Sequence, residues 1–172
     1  MPKSVTEFFR ASIKNGLIVD ANLFLLLAFE LDHKRTEDLG GELEVLQAIT
    51  SYCVDQGGRL ILTPHIIAEV SNMLINRGKK FDLSGDSKFA RLTRFVALAA
   101  EKHISKELIL DNKHLAYLGF TDLSIMEAAK EDGFGVLTLD NELYCKLTDE
   151  ECLVVNPRVI AEAKALRRLL SI

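Results

Sequence analysis

Cysteine is scarce in this chain. Cys53, Cys145 and Cys152 are an odd number in apolar surroundings, without C-x-x-C spacing. Neither a disulfide framework nor a zinc site is indicated, and all three are expected to be reduced core residues. Long apolar runs are missing too, since none approaches the roughly 18–20 residues of a membrane span. The start, Met1-Pro2-Lys3-Ser4-Val5-Thr6-Glu7, lacks the apolar stretch of a signal peptide, so a cytoplasmic protein with no membrane partner is expected. Positive charge is not in excess: 21 Lys+Arg stand against 25 Asp+Glu, a formal charge of −4. Any nucleic acid must therefore be held by a local basic patch or a bound cation rather than by long-range attraction. There is no G-x-G-x-x-G or G-K-[ST] loop, no Ser or Cys in a nucleophile motif, and no metal-ligand spacing among His33, His65, His103 and His114.

What is present is an ordinary globular composition, 172 residues with 48% apolar and 27% charged. That length reads as a single domain over 1–172, with residues 1–15 as an N-terminal helical extension and 157–172 as a C-terminal helix. Short apolar runs bounded by Gly, Asp, Asn or Pro read as buried strands: Leu17–Val19, Leu60–Leu62, a weaker Leu108–Leu110, Val136–Leu139 and Leu153–Val155. Between them lie stretches of helical period, such as Leu43, Leu46, Ile49 and Cys53, then Ile66, Val70, Met73 and Leu74, then Phe89, Leu92, Phe95, Val96 and Ala99. Strand and helix in alternation mean crossovers, hence an α/β fold with a largely parallel sheet and helices on both faces. Gly133-Phe134-Gly135 reads as a helix stop before a strand. The polar stretches Glu30–Gly41 and Arg77–Ser87 read as surface loops. After Pro157, the stripe of Val159, Ile160, Ala163, Leu166, Leu169 and Leu170 is expected to cover the sheet or to pair with a second copy in a homodimer.

Four acids stand apart from surface charge. Asp20 follows Leu17-Ile18-Val19, and Asp140 follows Val136-Leu137-Thr138-Leu139, so each ends a strand at the sheet edge where ligands bind. Glu69 lies in the first turns of a helix that Thr63 would cap and Pro64 would open. Asp122 opens a helix on which Ile125, Met126 and Ala129 fall within roughly 60° of it, at about 100° per residue. Each acid also has a plain structural reading. Asp20 and Asp140 suit helix N-caps, Asp122 complements a helix dipole, and Glu69 sits at the margin of its stripe as a solvated flank. Convergence favours the functional reading, because one crossover architecture brings all four to one edge of one sheet. Two unit charges ~4 Å apart repel by about 1 kcal/mol in water and about 4 kcal/mol at an effective dielectric near 20. No Lys or Arg lies in the immediate motifs around Asp20, Glu69 and Asp140, so a hard divalent cation, Mg²⁺ or Mn²⁺, is the expected partner of this all-oxygen set.

These segments resemble the four motifs of the PIN-domain ribonucleases. They are Val19-Asp20-Ala21-Asn22-Leu23, Thr63-Pro64 through Glu69, Thr121-Asp122-Leu123-Ser124-Ile125 with Ala128-Ala129, and Leu137-Thr138-Leu139-Asp140 through Tyr144. The likeness runs in order over residues 15–156. It implies a three-layer fold with about five parallel strands in the order 3-2-1-4-5, which puts Asp20 and Asp140 on neighbouring strands at the switch point. It also implies metal-dependent endonuclease activity on RNA, and for the VapC-like toxin branch a protein antitoxin. Asp20, Glu69, Asp122 and Asp140 match the family's acidic set, and Asn22 and Thr138 its accessory polar positions. Glu142 stands where some members carry another acid. Leu139 departs from the polar residue common between the Thr and the Asp.

Two rival readings remain at this point. A Mg-dependent phosphatase on a similar sheet would use Asp20 as nucleophile, but its usual Asp-x-Asp is broken by Asn22. A non-catalytic scaffold of the same fold would bind RNA or protein only.

Overall fold

Leu17, Ile18 and Val19 form strand β1 (Leu17–Val19), and all three are buried. Successive strand residues point to opposite faces, so a strand buried at every position is covered on both sides. In the computed structural model, which describes residues 5–29, 42–77 and 85–160, β1 is the centre of a sheet completed by β2 (Leu60–Leu62), β3 (Ala100–Glu101), β4 (Gly135–Leu137) and β5 (Leu153–Val155). The sheet is wholly parallel and runs β3-β2-β1-β4-β5, the expected 3-2-1-4-5 order. The register pairs Val19 with Leu137, and Leu137 with Val155.

Around the sheet lie α1 (Val5–Lys14), α2 (Ala21–Phe29), α3 (Glu42–Asp55), α4 (Pro64–Arg77), α5 (Gly85–Leu98), α6 (Lys106–Leu110), α7 (Phe120–Asp132) and α8 (Asn141–Asp149). Helical structure resumes over residues 157–160. The apolar periodicities hold: Leu46, Ile49 and Cys53 of α3 and Ile66, Val70 and Leu74 of α4 are core residues. Helix α1 buries Phe8 and Ser12 and packs on β4, β5 and α3. Its approach requires Gly135, where an added Cβ would strike Ser12 Oγ and lie 3.0 Å from the Phe8 ring. Helix α7 stops at Gly133, left-handed at φ 66°, whose N–H donates to the Ala129 carbonyl.

Several expectations are corrected. Leu108–Leu110 is not a strand but the end of α6. Only Ile109 is buried there, while Leu108 and Leu110 are 44% and 55% exposed. The strand in that stretch is the short Ala100–Glu101. Strand β4 stops at Leu137, so Asp140 lies three residues past the ladder. Helix α7 begins at Phe120, two residues before Asp122. Cys53 is a core residue, but Cys145 is exposed, and the cysteines form no disulfide among the described residues. Glu30–Gly41, most of the second polar stretch, and the C-terminal stripe beyond Ile160 lie outside the described residues. No helix among the described residues is long and apolar enough to cross a membrane.

The carboxyl edge of the sheet positions the acids. The Asp20 N–H donates to the Leu137 carbonyl at 3.0 Å, that of Thr138 to Val155 at 3.2 Å, and that of Lys102 to Leu62 at 2.9 Å. The residues just after β1, β4 and β3 are thus held level at one rim.

Candidate functional site

Asp20 is only 5% exposed. It caps α2: its Oδ1 accepts from the Asn22 N–H at 3.1 Å, and its carbonyl accepts from the Phe24 N–H at 2.7 Å. Its Oδ2 accepts a 2.8 Å hydrogen bond from the Thr138 hydroxyl. Thr138 is fully buried, and its oxygen in turn accepts from the Asp140 N–H at 2.9 Å. Asp140 is exposed and caps α8, with Oδ1 accepting from the N–H groups of Glu142 at 2.7 Å and Leu143 at 3.0 Å. The capping reading of both aspartates is therefore correct. It engages one oxygen of each, and the second oxygen of Asp20 is tied to Asp140 through Thr138.

Glu69 and Asp122, both half-buried, come from α4 and α7. Thr63 caps α4, accepting from the Ile66 N–H at 3.3 Å. Its hydroxyl lies 2.8 Å from that of Ser124, whose own proton goes to the Thr121 carbonyl at 2.7 Å, so Thr63 donates to Ser124. This buried pair fastens the start of α4 to the start of α7. Asp122, in the first turn of α7, accepts from the N–H of Gly119, the residue that precedes the helix. That is the reciprocal half of a capping box.

The four charges act on one another. Burial pushes the Asp20 carboxyl above its ordinary value; hydrogen bonds from Thr138 and Asn22 oppose the rise, and the charges of Glu69 and Asp140 add to it. Asp122 is pushed up to about 7, first by burial and then by the charges of Asp20, Asp140 and Glu69. Among the described residues no Lys or Arg forms an ion pair with any of the four. Lys130 is held by Glu127 and Glu150, and Lys102 by Glu131 and Asp132. An uncompensated all-oxygen donor set suits a hard divalent cation. The acids converge without touching, however: among the described residues no three His, Cys, Asp or Glu side chains stand close enough to ligate one ion.

The accessory residues divide. Thr138 is central. Asn22 and Glu142 are exposed, and each contributes its main-chain N–H, to Asp20 and Asp140 respectively, which any residue but proline could supply. Sequence reasoning gave no role to Ser124 or to Asn156. Asn156 is buried after β5, and its Nδ2 donates to Asn141 Oδ1 at 3.3 Å, fixing the first residue of α8. Ser124 also donates to Thr121 and Asn156 also accepts from the Arg158 N–H, both local bonds. The bonds to Thr63 and Asn141 that tie elements together, however, join residues 61 and 15 apart, and no local pattern announces those.

No protein-family model matches the chain, and no curated protein matches it. Among solved structures it is similar to PAE2754 from Pyrobaculum aerophilum, with a TM-score of 0.57 and 16% identity over 96% of this chain and 99% of that one. At that identity the likeness concerns the fold alone.

Proposed function

We propose that the chain is a PIN-like, metal-dependent endoribonuclease that hydrolyses RNA phosphodiester bonds. The observation that carries this reading is Asp20, buried, tethered by Thr138, and lying in the field of Glu69 and Asp140 with no cationic partner among the described residues. Asp20 and Asp140 are the proposed direct ligands of Mg²⁺, with Mn²⁺ as substitute, and Glu69 and Asp122 would complete the site directly or through water. Such an ion, when bound, supplies a more acidic water and neutralises charge on the phosphoryl oxygens.

The protein's own part is positional. Thr138 fixes one Asp20 oxygen and, through the Asp140 N–H, the place of Asp140. The Thr63–Ser124 pair holds α4 and α7 together, and with them Glu69 and Asp122. Orientation of ligating carboxylates by hydrogen bonds of this kind preserves metal affinity. The reading includes a cytoplasmic location, a protein antitoxin as inhibitor, and self-association through the C-terminal stripe. A scaffold that only binds draws support from the capping roles of Asp20 and Asp140, which need no metal. The deciding experiment incubates the protein with a single-stranded RNA oligonucleotide and Mg²⁺, with and without EDTA, beside the Asp20→Asn variant. Cutting that needs both the metal and Asp20 is expected, and an uncut RNA would favour the scaffold.

A further inference from the structure

One cleft at the same sheet edge is unused by the proposed cluster. It has a volume of about 340 Å³ and is lined by His65, His103, Ile104, Ser105, Lys106 and Glu107. His65 is the second residue of α4 and lies one helical turn before Glu69, so the cleft and the cluster share a face of one helix. His103 follows Lys102, which leaves β3 at the edge. Since β2 separates β3 from β1, and strands are about 4.8 Å apart, the end of β3 that leads into the cleft lies roughly 10 Å across the sheet from the end of β1, which Asp20 follows. A nucleic-acid strand with one phosphate at the carboxylates reaches that far with a phosphate one or two nucleotides along.

The lining chemistry is that of an acceptor-only ligand. Each imidazole offers at least one N–H, Lys106 offers three, and Ser105 offers a hydroxyl, whereas phosphodiester oxygens only accept. Lys106 is available: its side chain is 83% exposed and its ion pair with Glu107 is long, at 3.8 Å, in contrast to Lys102 and Lys130, each gripped by two acids. His65 Nδ1 is buried and meets no hydrogen-bond partner among the described residues. That nitrogen is itself shut off from solvent, so His65 would meet a ligand in the cleft through its other ring nitrogen, Nε2. Glu107 in the wall disfavours a doubly charged anion and tolerates the single charge of a diester.

We infer that this cleft holds a backbone phosphate of the RNA strand one or two nucleotides from the one being cut, with His65, His103 and Lys106 as its donors. The inference rests on the ribonuclease reading for the identity of the strand. It makes the preferred substrate a single strand extending beyond the cut on the β3 side.

The test uses the full chain carrying Asp20→Asn, so that RNA is not consumed, and reads binding of a single-stranded oligoribonucleotide by fluorescence anisotropy over a range of salt. Adding Lys106→Ala or His103→Gln is expected to weaken binding about tenfold, and Lys106→Ala to make the salt dependence shallower by about one phosphate contact. His65→Gln is a third variant, checked for folding by thermal melting. Unchanged affinity and salt slope in Lys106→Ala and His103→Gln would overturn the inference, even if the parent chain cuts RNA. If binding is lost in these variants but the chain with Asp20 intact does not cut, the cleft stands only as an RNA-backbone site, and both the ribonuclease reading and the placement beside a cut fall. If the Asp20→Asn chain binds no RNA at all, the inference falls, and cutting by the parent chain decides the ribonuclease reading separately.

Discussion

Thr138 and Asp20, 118 residues apart in sequence, are joined by a 2.8 Å hydrogen bond from the Thr138 hydroxyl to Asp20 Oδ2. The same oxygen of Thr138 accepts from the Asp140 N–H at 2.9 Å. One buried hydroxyl thus sets the relative place of two carboxylates that follow neighbouring strands. Replacing Thr138 with Val removes that hydroxyl while keeping the branched shape. Thr138→Val is expected to remain folded, to lose about 1–2 kcal/mol of stability in a urea titration, and to cut RNA at least about tenfold more slowly. Thr138→Ser should recover most of the rate. A Val variant that cuts as fast as the parent would remove Thr138 from the site.

The second prediction concerns Asp122. Asp20 is the foremost neighbouring charge that raises Asp122 to about 7. Asp20→Asn should therefore lower the Asp122 midpoint, followed through its carboxyl carbon by NMR. Removing a charge from a repulsive group should also leave the metal-free melting temperature unchanged or higher, while cutting is lost. An Asp122 midpoint that does not move would mean that the two carboxylates do not sense each other.

Stability should depend on pH with a definite sign. A carboxyl raised in the folded chain binds its proton more tightly there than when unfolded. Its stabilisation is complete below the unfolded value and is lost as pH rises through the folded one. For Asp122 that window runs from 3.8 to about 7, and Asp20 is shifted in the same direction. Glu150 works the opposite way: Lys113, His114 and Lys130 hold it at about 2, so its contribution is present above 4.5 and is lost only on further acidification. In EDTA the protein is expected to melt at a lower temperature near about pH 8 than near about pH 5, and excess Mg²⁺ should erase much of the difference. Calorimetry at the two pH values checks this, and a melting temperature that climbs with pH in EDTA would contradict it.

The fold makes its own prediction at Gly135. A methyl group there meets Ser12 and the Phe8 ring where α1 crosses β4. Gly135→Ala should cost about 1–3 kcal/mol in a urea titration, whereas Gly119→Ala, with nothing within 4 Å of its added Cβ, should cost much less.

The sheet was legible because its central strands are continuous apolar runs, and the helices because their apolar periods are regular. The error at Leu108–Leu110 has a local cause. Three consecutive apolar residues look like a buried strand, but Ser105 precedes them as a helix cap, its Oγ accepting from the Leu108 N–H at 3.4 Å, and Glu107 sits in the first turn. The true strand, Ala100–Glu101, has two residues, neither of them buried, and pairs only with β2. It offers no pattern to read. Asp20 and Asp140 stand out because each closes an apolar strand with a charge. The hydroxyls that position the acids, Thr138 towards Asp20 and Thr63 towards Ser124, act across the fold, so their partners are visible only in three dimensions.

The most direct test of the account is the chemistry of the cut ends. Histidine acid–base pairs can activate the 2′-hydroxyl of the substrate and leave a cyclic phosphate, whereas an ion held by Asp20 and Asp140 would supply an acidified water, and hydrolysis by water leaves the 3′ oxygen as a hydroxyl. Mass spectrometry of a single-stranded RNA oligonucleotide cut by the purified chain in Mg²⁺ is predicted to find 5′-phosphate and 3′-hydroxyl termini, with no cutting in EDTA. Termini carrying a 2′,3′-cyclic phosphate, or undiminished cutting in EDTA, would contradict the assignment of Asp20, Glu69, Asp122 and Asp140 as a metal site.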